Sequence, residues 1–183
     1  MNYEKLLDGK KAIITAGAAG IGYAIARRFE KAGAHVFVCD INKEAVYKAN
    51  SVDDNIKATV CDLRQTQLIS SMVEEGLDHL KEVDIIVNNA GIAGETAAVG
   101  DQTLGGWQEC LQVNMTSHFE TMRLLVPRMN NDGSILSVSS VEKYPFSQKT
   151  SIKSIKLSFE NLGSIFCKTR SMYPFLSSLN SLG

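Results

Sequence analysis

Five short apolar runs rich in β-branched residues, at positions 11–16, 35–39, 56–61, 84–88 and 134–139, recur along the chain, and longer helix-period stretches separate most of them. Parallel strands need long crossovers, usually helical, so this alternation predicts an α/β fold with a parallel sheet and helices on both faces. Right-handed crossovers then make it doubly wound. Between the first two runs, Ile21, Ala24, Ile25, Ala26 and Phe29 fall on one helical stripe, and Gly33 stops the helix. The amphipathic pattern repeats over 65–80 and again over 104–126, where Pro127 closes it. The polar, glycine-rich stretch 94–106 reads as a surface loop, and Trp107 as core or helix packing.

The chain of 183 residues is long enough to bury a core without metal or disulfides. Its 19 Lys+Arg balance 20 Asp+Glu, and no basic stripe interleaved with aromatics is present, so neither nucleic acid nor an anionic membrane is an expected partner. The four cysteines and three histidines are scattered, with no Cys-x-x-Cys pair, and suggest neither a metal site nor a disulfide framework. The first ten residues lack an apolar signal core, and nowhere do 18 apolar residues run together; the expected location is cytoplasmic.

Composition changes abruptly near Val141. All 15 alanines lie upstream, whereas positions 142–183 contain no Ala, Val or Asp and nine serines, which divides the chain into a domain over 1–141 and an atypical tail over 142–183. Within the tail, Ile152, Ile155, Phe159, Leu162 and Phe166 follow helical spacing; a short amphipathic helix and a disordered segment are both compatible with it.

Chemistry concentrates after the first run, where Thr15-Ala16-Gly17-Ala18-Ala19-Gly20-Ile21-Gly22 opens directly into a helix. Small residues there let a pyrophosphate reach the unpaired N–H groups and positive dipole of a helix N-terminus. A tight strand-to-helix turn would need no more than this. Asp40, ending the second run, suits a hydrogen bond to both hydroxyls of an adenosine ribose and would repel a 2′-phosphate, which favours NAD over NADP. An ordinary cap is the alternative role. Asp62 ends the third run in the same register, where its carboxylate can receive an adenine amino group or cap a turn.

Taken in order, the Thr15 to Gly22 turn, Asp40, Cys61-Asp62-Leu63, Asn88-Asn89-Ala90-Gly91, Asn114 within Val113-Asn114-Met115, and Gly133-Ser134-Ile135 with Ser139-Ser140 resemble the short-chain dehydrogenase/reductase family over about residues 8 to 141. The resemblance implies a Rossmann-like sheet, incomplete here at its C-terminal edge, and an NAD-dependent oxidoreductase acting on an alcohol or carbonyl by hydride transfer. It implies that Gly17, Gly20, Ile21 and Gly22 line the pyrophosphate and Asp40 the ribose. Asp62 and Leu63 would then flank adenine, while Asn89, Ala90 and Gly91 would support the central strand and the nicotinamide-side ribose. By the same resemblance Asn114 holds a water for proton relay, and Ser140 hydrogen-bonds the substrate oxygen. The family's homo-oligomeric assembly is not carried over, because much of its dimer surface follows strand five.

The family's proton donor is a tyrosine whose pKa a lysine four residues later lowers. Here the thirteenth residue after Ser140 is Lys153, the fourth beyond that is Leu157, and none of the five tyrosines has lysine at the fourth place. The pair Tyr144 and Lys149 is one residue too far apart, which turns a side chain about 100° around a helix. Lost motif and altered composition together suggest truncation, a frameshift or alternative splicing of a complete enzyme. Three functional classes follow: an oxidoreductase, a non-catalytic nucleotide-binding or interaction module, and a product that does not fold stably because strand five lacks a neighbour. In the glycine turn the family places glycine directly after the threonine; this chain has Ala16, which would strain the turn if φ is positive there.

Overall fold

The computed structural model describes residues 5–52 and 55–138; Ser140, the tail 142–183 and its helical pattern over 152–166 lie outside the described residues. Five parallel strands, β1 (Lys11–Thr15), β2 (His35–Asp40), β3 (Ile56–Val60), β4 (Val83–Asn88) and β5 (Met129–Ser137), stand in the order β3-β2-β1-β4-β5. Helices α1 (Gly20–Lys31), α2 (Lys43–Val52), α3 (Thr66–Leu80), α4 (Leu104–Leu111) and α5 (Ser117–Leu125) fill the crossovers. The chain winds outward from β1 to β3, then crosses back to β4 on the other side of β1. Strand order therefore reverses between β1 and β4, and a crevice opens beyond the carboxyl ends of these two strands.

Burial explains why the runs are strands. Every residue of β4 is buried, as are four of the five in β1, so both central strands are apolar on both faces. Ile13, Phe37 and Ile86 share one face and pack with Ile69, Met72 and Val73 of α3 and Leu125 of α5. Ala12, Ile14, Val36 and Val38, also fully buried, alternate to the opposite face, where α1 and α2 pack. A side chain such as Phe37, removed entirely from water, contributes roughly 1.5–3 kcal/mol.

Several sequence expectations are corrected. The first run ends at Thr15 because Ala16 turns to φ 49°, and the third ends at Val60. The last strand begins earlier, at Met129, with a register shift against β4 between Val83 and Ile85. In α1 the buried face is Gly22, Ala26 and Phe29; Ile21 is 68% exposed and Ala24 is exposed too, because the side of the helix turned to the sheet runs through Gly22, Ala26 and Phe29. The periodic stretch over 104–126 is not one regular helix: a π-helical turn over Gln112–Thr116 separates α4 from α5, and Val126–Arg128, containing Pro127, forms a 3-10 turn. The 94–106 stretch is mostly loop, but its last residues start α4, capped where Thr103 Oγ1 accepts from Gly106 N at 3.0 Å. Trp107 is half-buried on α4, a helix with no buried residue. Gly33 closes α1 as expected, at φ 96°.

Candidate cofactor site

The glycine turn leaves β1 and is stitched to the end of β4. Thr15 Oγ1 accepts from Asn89 N at 3.0 Å and from Ala90 N at 3.1 Å, while Asn89 Nδ2 donates to Thr15 O at 3.2 Å and Ala16 O at 3.0 Å. Two side chains thus satisfy the backbone groups freed where the strands end. Gly17 N donates to Cys39 O at 2.9 Å, which ties the turn to β2 as well.

This stitching leaves no room for Cβ atoms. One placed at Gly17 would lie 2.7 Å from Val38 Cβ, and one at Gly22 would overlap Ala16 O and stand 2.5 Å from Asn89 Nδ2. The start of α1 is therefore pressed against β1 and β4. Its N-cap, Ala19, makes no side-chain cap bond, and no acidic residue stands in the first turn. The N–H groups of that turn and the positive dipole end are left available to an anion, and the cradle fits a pyrophosphate.

Ala16 answers the conditional expectation about the turn, since its φ of 49° is left-handed. That conformation costs alanine roughly 1–2 kcal/mol, part of which glycine would return as greater freedom when unfolded. Ala16→Gly is expected to raise stability by roughly 0.5–1 kcal/mol, visible as a melting temperature a few degrees higher.

Asp40, nearly buried at the end of β2, accepts from Ala18 N through Oδ2 at 3.2 Å and from Asn42 N through Oδ1 at 3.0 Å. The carboxylate is thus anchored to the glycine turn on one side and to the β2–α2 turn on the other. Beyond β3, Asp62 is engaged by Arg64: the backbone N donates to Oδ1 at 3.0 Å, and Nε and Nη2 fork onto the carboxylate at 2.9 and 2.8 Å. The Arg64 guanidinium holds the Asp62 carboxyl below its ordinary range. Leu63, next to it, is buried, and its carbonyl accepts from Gln112 Nε2 at 3.4 Å.

On the far side of the crevice, Asn114 sits in the π-helical turn. Its Oδ1 accepts from Ile92 N and its Nδ2 donates to Ile92 O, both at 2.8 Å, and Nδ2 also reaches Cys110 Sγ at 3.4 Å. The side chain therefore clamps the segment after β4. A Cβ on Gly91 would lie 3.6 Å from Asn114 Oδ1, which places the two side by side. His118, buried and held by desolvation below its ordinary pKa, donates from Nε2 to Ala90 O at 2.8 Å and fixes the strand end from beneath. After β5, Val138 N donates to Asn88 O at 2.8 Å, just before the chain leaves the described residues.

Gly17, Gly20, Ile21, Gly22, Asp40, Asp62, Leu63, Asn89, Ala90, Gly91 and Asn114 all follow the carboxyl ends of strands β1 to β4 or the helix that faces them. Ser140 lies outside the described residues. Sequence reasoning passed over Thr15, His118 and Arg64 as functional positions. A hydroxyl ending a buried strand just before the turn was the available signal for Thr15; nothing local marked the other two. An open depression of about 410 Å³, lined by Ile92, Ala93, Gly94, Glu95, Gly106 and Glu109, lies beside α4 and includes none of the glycine turn.

The family description short chain dehydrogenase matches residues 10–152. The chain belongs to this family. Over 144 residues it is 39% identical to the 7alpha-hydroxysteroid dehydrogenase of Escherichia coli, covering 74% of this chain and 54% of that protein. Among solved structures, the 3-ketoacyl-(acyl-carrier-protein) reductase from Brucella melitensis complexed with NADH is 31% identical with a TM-score of 0.64, over 67% of this chain and 50% of that one. The blue fluorescent protein from a metagenomic library in complex with NADPH is 28% identical with a TM-score of 0.69, over 73% and 57%. The chain spans about half the length of the curated relatives it matches. The short chain dehydrogenase fold thus accounts for the β3-β2-β1-β4-β5 sheet and for the glycine turn at its switch point. Among the described residues, no helix is long and apolar enough to cross a membrane.

Proposed function

We propose that this chain binds a nicotinamide adenine dinucleotide in the crevice at the β1–β4 switch, NAD in preference to NADP, and that the whole protein's reaction is hydride transfer between that cofactor and an alcohol or carbonyl. The observation that carries the preference is Asp40. Its carboxylate is nearly buried and anchored to the glycine turn through Ala18 N, so it cannot swing away from a 2′-phosphate, whereas two ribose hydroxyls would donate to it. Gly17 and Gly22 let the turn and the start of α1 pack closely against β2 and the ends of β1 and β4, which sets the helix N-terminus at the crevice for a pyrophosphate, and Asn89, Ala90 and Gly91 support the strand end beside the nicotinamide-side ribose. When bound, the cofactor supplies a hydride donor or acceptor at its nicotinamide ring. Titration of the purified chain with NADH and NADPH, followed by cofactor fluorescence, is expected to show NADH binding at least ten-fold more tightly. Equal or tighter NADPH binding overturns the preference.

A second reading concerns catalysis and rests on the sequence: no tyrosine is followed at the fourth place by lysine. By the family resemblance Asn114 would act toward a relay water and Ser140 toward the substrate oxygen, but neither is a proton donor tuned toward neutrality. This chain by itself is then a nucleotide-binding module, without the turnover of a complete short chain dehydrogenase. Substrate-dependent loss of NADH absorbance with the purified chain would refute that reading while leaving cofactor binding intact.

A further inference from the structure

The segment 89–92 leaves the end of β4 at the crevice and is held there by side chains from three other elements. From β1, Thr15 Oγ1 accepts from Asn89 N and Ala90 N at 3.0 and 3.1 Å. From the π-helical turn, Asn114 bonds both Ile92 N and Ile92 O at 2.8 Å. From α5, buried His118 donates from Nε2 to Ala90 O at 2.8 Å. Asn114 and His118 stand four residues apart, on one side of their helical stretch, and grip the segment on either side of Gly91. The backbone that carries His118 is braced in turn, since Ser117 Oγ donates to Val113 O at 2.6 Å and Thr121 Oγ1 to Ser117 O at 2.8 Å. Desolvation keeps the imidazole neutral near neutral pH, so the ring has a single N–H, and Ala90 O receives it.

Holding Ala90 O fixes more than one hydrogen bond. The peptide between Ala90 and Gly91 is trans and planar, so its carbonyl and the N–H of Gly91 point in opposite directions. Ala90 O is turned inward to a buried ring, and Gly91 N–H is therefore turned outward, in an exposed residue where a Cβ would meet only Asn114 Oδ1, at 3.6 Å. Without the ring this peptide is free to flip, because glycine accepts either sign of φ. Strand order fixes what Gly91 N–H faces. Asp40 ends β2 on one side of β1, and Gly91 follows β4 on the other. A dinucleotide with its adenosine ribose at Asp40 and its pyrophosphate at the start of α1 therefore brings its other, nicotinamide-bearing half over Gly91. We propose that His118 is a positioning residue for that half: by holding the Ala90 carbonyl inward, it presents Gly91 N–H to an oxygen of the bound dinucleotide. The inference rests on the nucleotide-binding reading above and adds to it a residue of α5 that reaches the cofactor only through the backbone.

The test compares NADH with ADP, which shares the adenosine and the two phosphates but lacks the nicotinamide-bearing half. His118→Phe keeps a flat ring of similar size and removes the donor. It is expected to weaken NADH binding about ten-fold and ADP binding by no more than about two-fold, because one directed hydrogen bond is lost on one half only. His118→Gln, whose side-chain N–H reaches about as far as Nε2, is expected to recover most of the NADH affinity. A role confined to stability lowers the melting temperature and leaves the NADH-to-ADP affinity ratio where it was. A phenylalanine variant that keeps the wild-type ratio therefore overturns the proposal, and so does a glutamine variant that binds NADH no better than phenylalanine. Should the phenylalanine variant fail to fold, nuclear magnetic resonance of the wild-type chain decides. An imidazole protonated at Nε2 and a Gly91 amide proton that shifts with NADH but not with ADP are expected; an Nδ1-protonated ring, or a Gly91 amide that answers both ligands alike, overturns the proposal. A wild-type chain that binds neither NADH nor ADP overturns the nucleotide reading and this inference with it.

Discussion

Replacing Gly22 by alanine is expected to abolish measurable NADH binding and to lower stability by roughly 3 kcal/mol, at the upper end of ordinary overpacking costs. The added Cβ overlaps the carbonyl oxygen of Ala16 and stands 2.5 Å from Asn89 Nδ2, and Ala16 O is itself held by that amide at 3.0 Å. Neither obstacle is the free end of a flexible side chain. The first turn of α1 must move away from β1, which carries its N–H groups away from the crevice and breaks the Asn89 bridge. A loss of that size corresponds to a melting temperature lower by about 10 °C in a domain of this length. Gly20→Ala is a useful contrast, because a Cβ there meets nothing within 4 Å and the only penalty comes from its φ of 53°. A Gly22→Ala chain that binds NADH as wild type does would show that the close approach is irrelevant to the site.

Thr15→Val is the second substitution with a large expected effect, although it changes shape hardly at all. Thr15 is buried, and its hydroxyl oxygen accepts from the backbone N–H groups of both Asn89 and Ala90. Valine fills the same space and accepts nothing. Two backbone donors are left without that acceptor, at roughly 1–3 kcal/mol each, so a total of about 2–6 kcal/mol is expected, seen as a melting temperature lower by about 10 °C. Thr15→Ser keeps the acceptor and is expected to stay within a few degrees of wild type. If the valine chain melts as wild type does, the hydroxyl is not what joins β1 to β4.

Much of the architecture was legible beforehand because it depends on patterns that survive without knowledge of neighbours. Period-two and continuous apolar runs marked all five strands, and the glycine turn announced a close backbone approach. The boundaries were less legible. Strand β1 ends one residue early because Ala16 adopts a left-handed φ, and β5 begins early because a register shift against β4 absorbs the residues after Met129. Ile21 and Ala24 sit on the apolar stripe of α1 yet are exposed, since Gly22, Ala26 and Phe29 are the residues the sheet covers. The π-helical turn that carries Asn114 left no mark on the hydrophobic period of 104–126.

The candidate site divides along the same line. The types and order of Gly17, Gly20, Gly22, Asp40, Asp62, Asn89 and Asn114 were legible in the sequence alone, because the resemblance to the family rests on residue types in a fixed order along the chain. Partners separated by many residues were decided only by the tertiary structure. Thr15 meets Asn89 and Ala90 because β1 and β4 are adjacent, and Asp40 reaches Ala18 because β2 lies on the other side of β1. Arg64, after β3, meets Glu109 of α4, and His118 of α5 meets Ala90, after β4, because the fold brings segments far apart in the chain together. Local periodicity reports which face of an element is buried; it carries no record of which distant hydrogen-bonding group will be brought there to satisfy it.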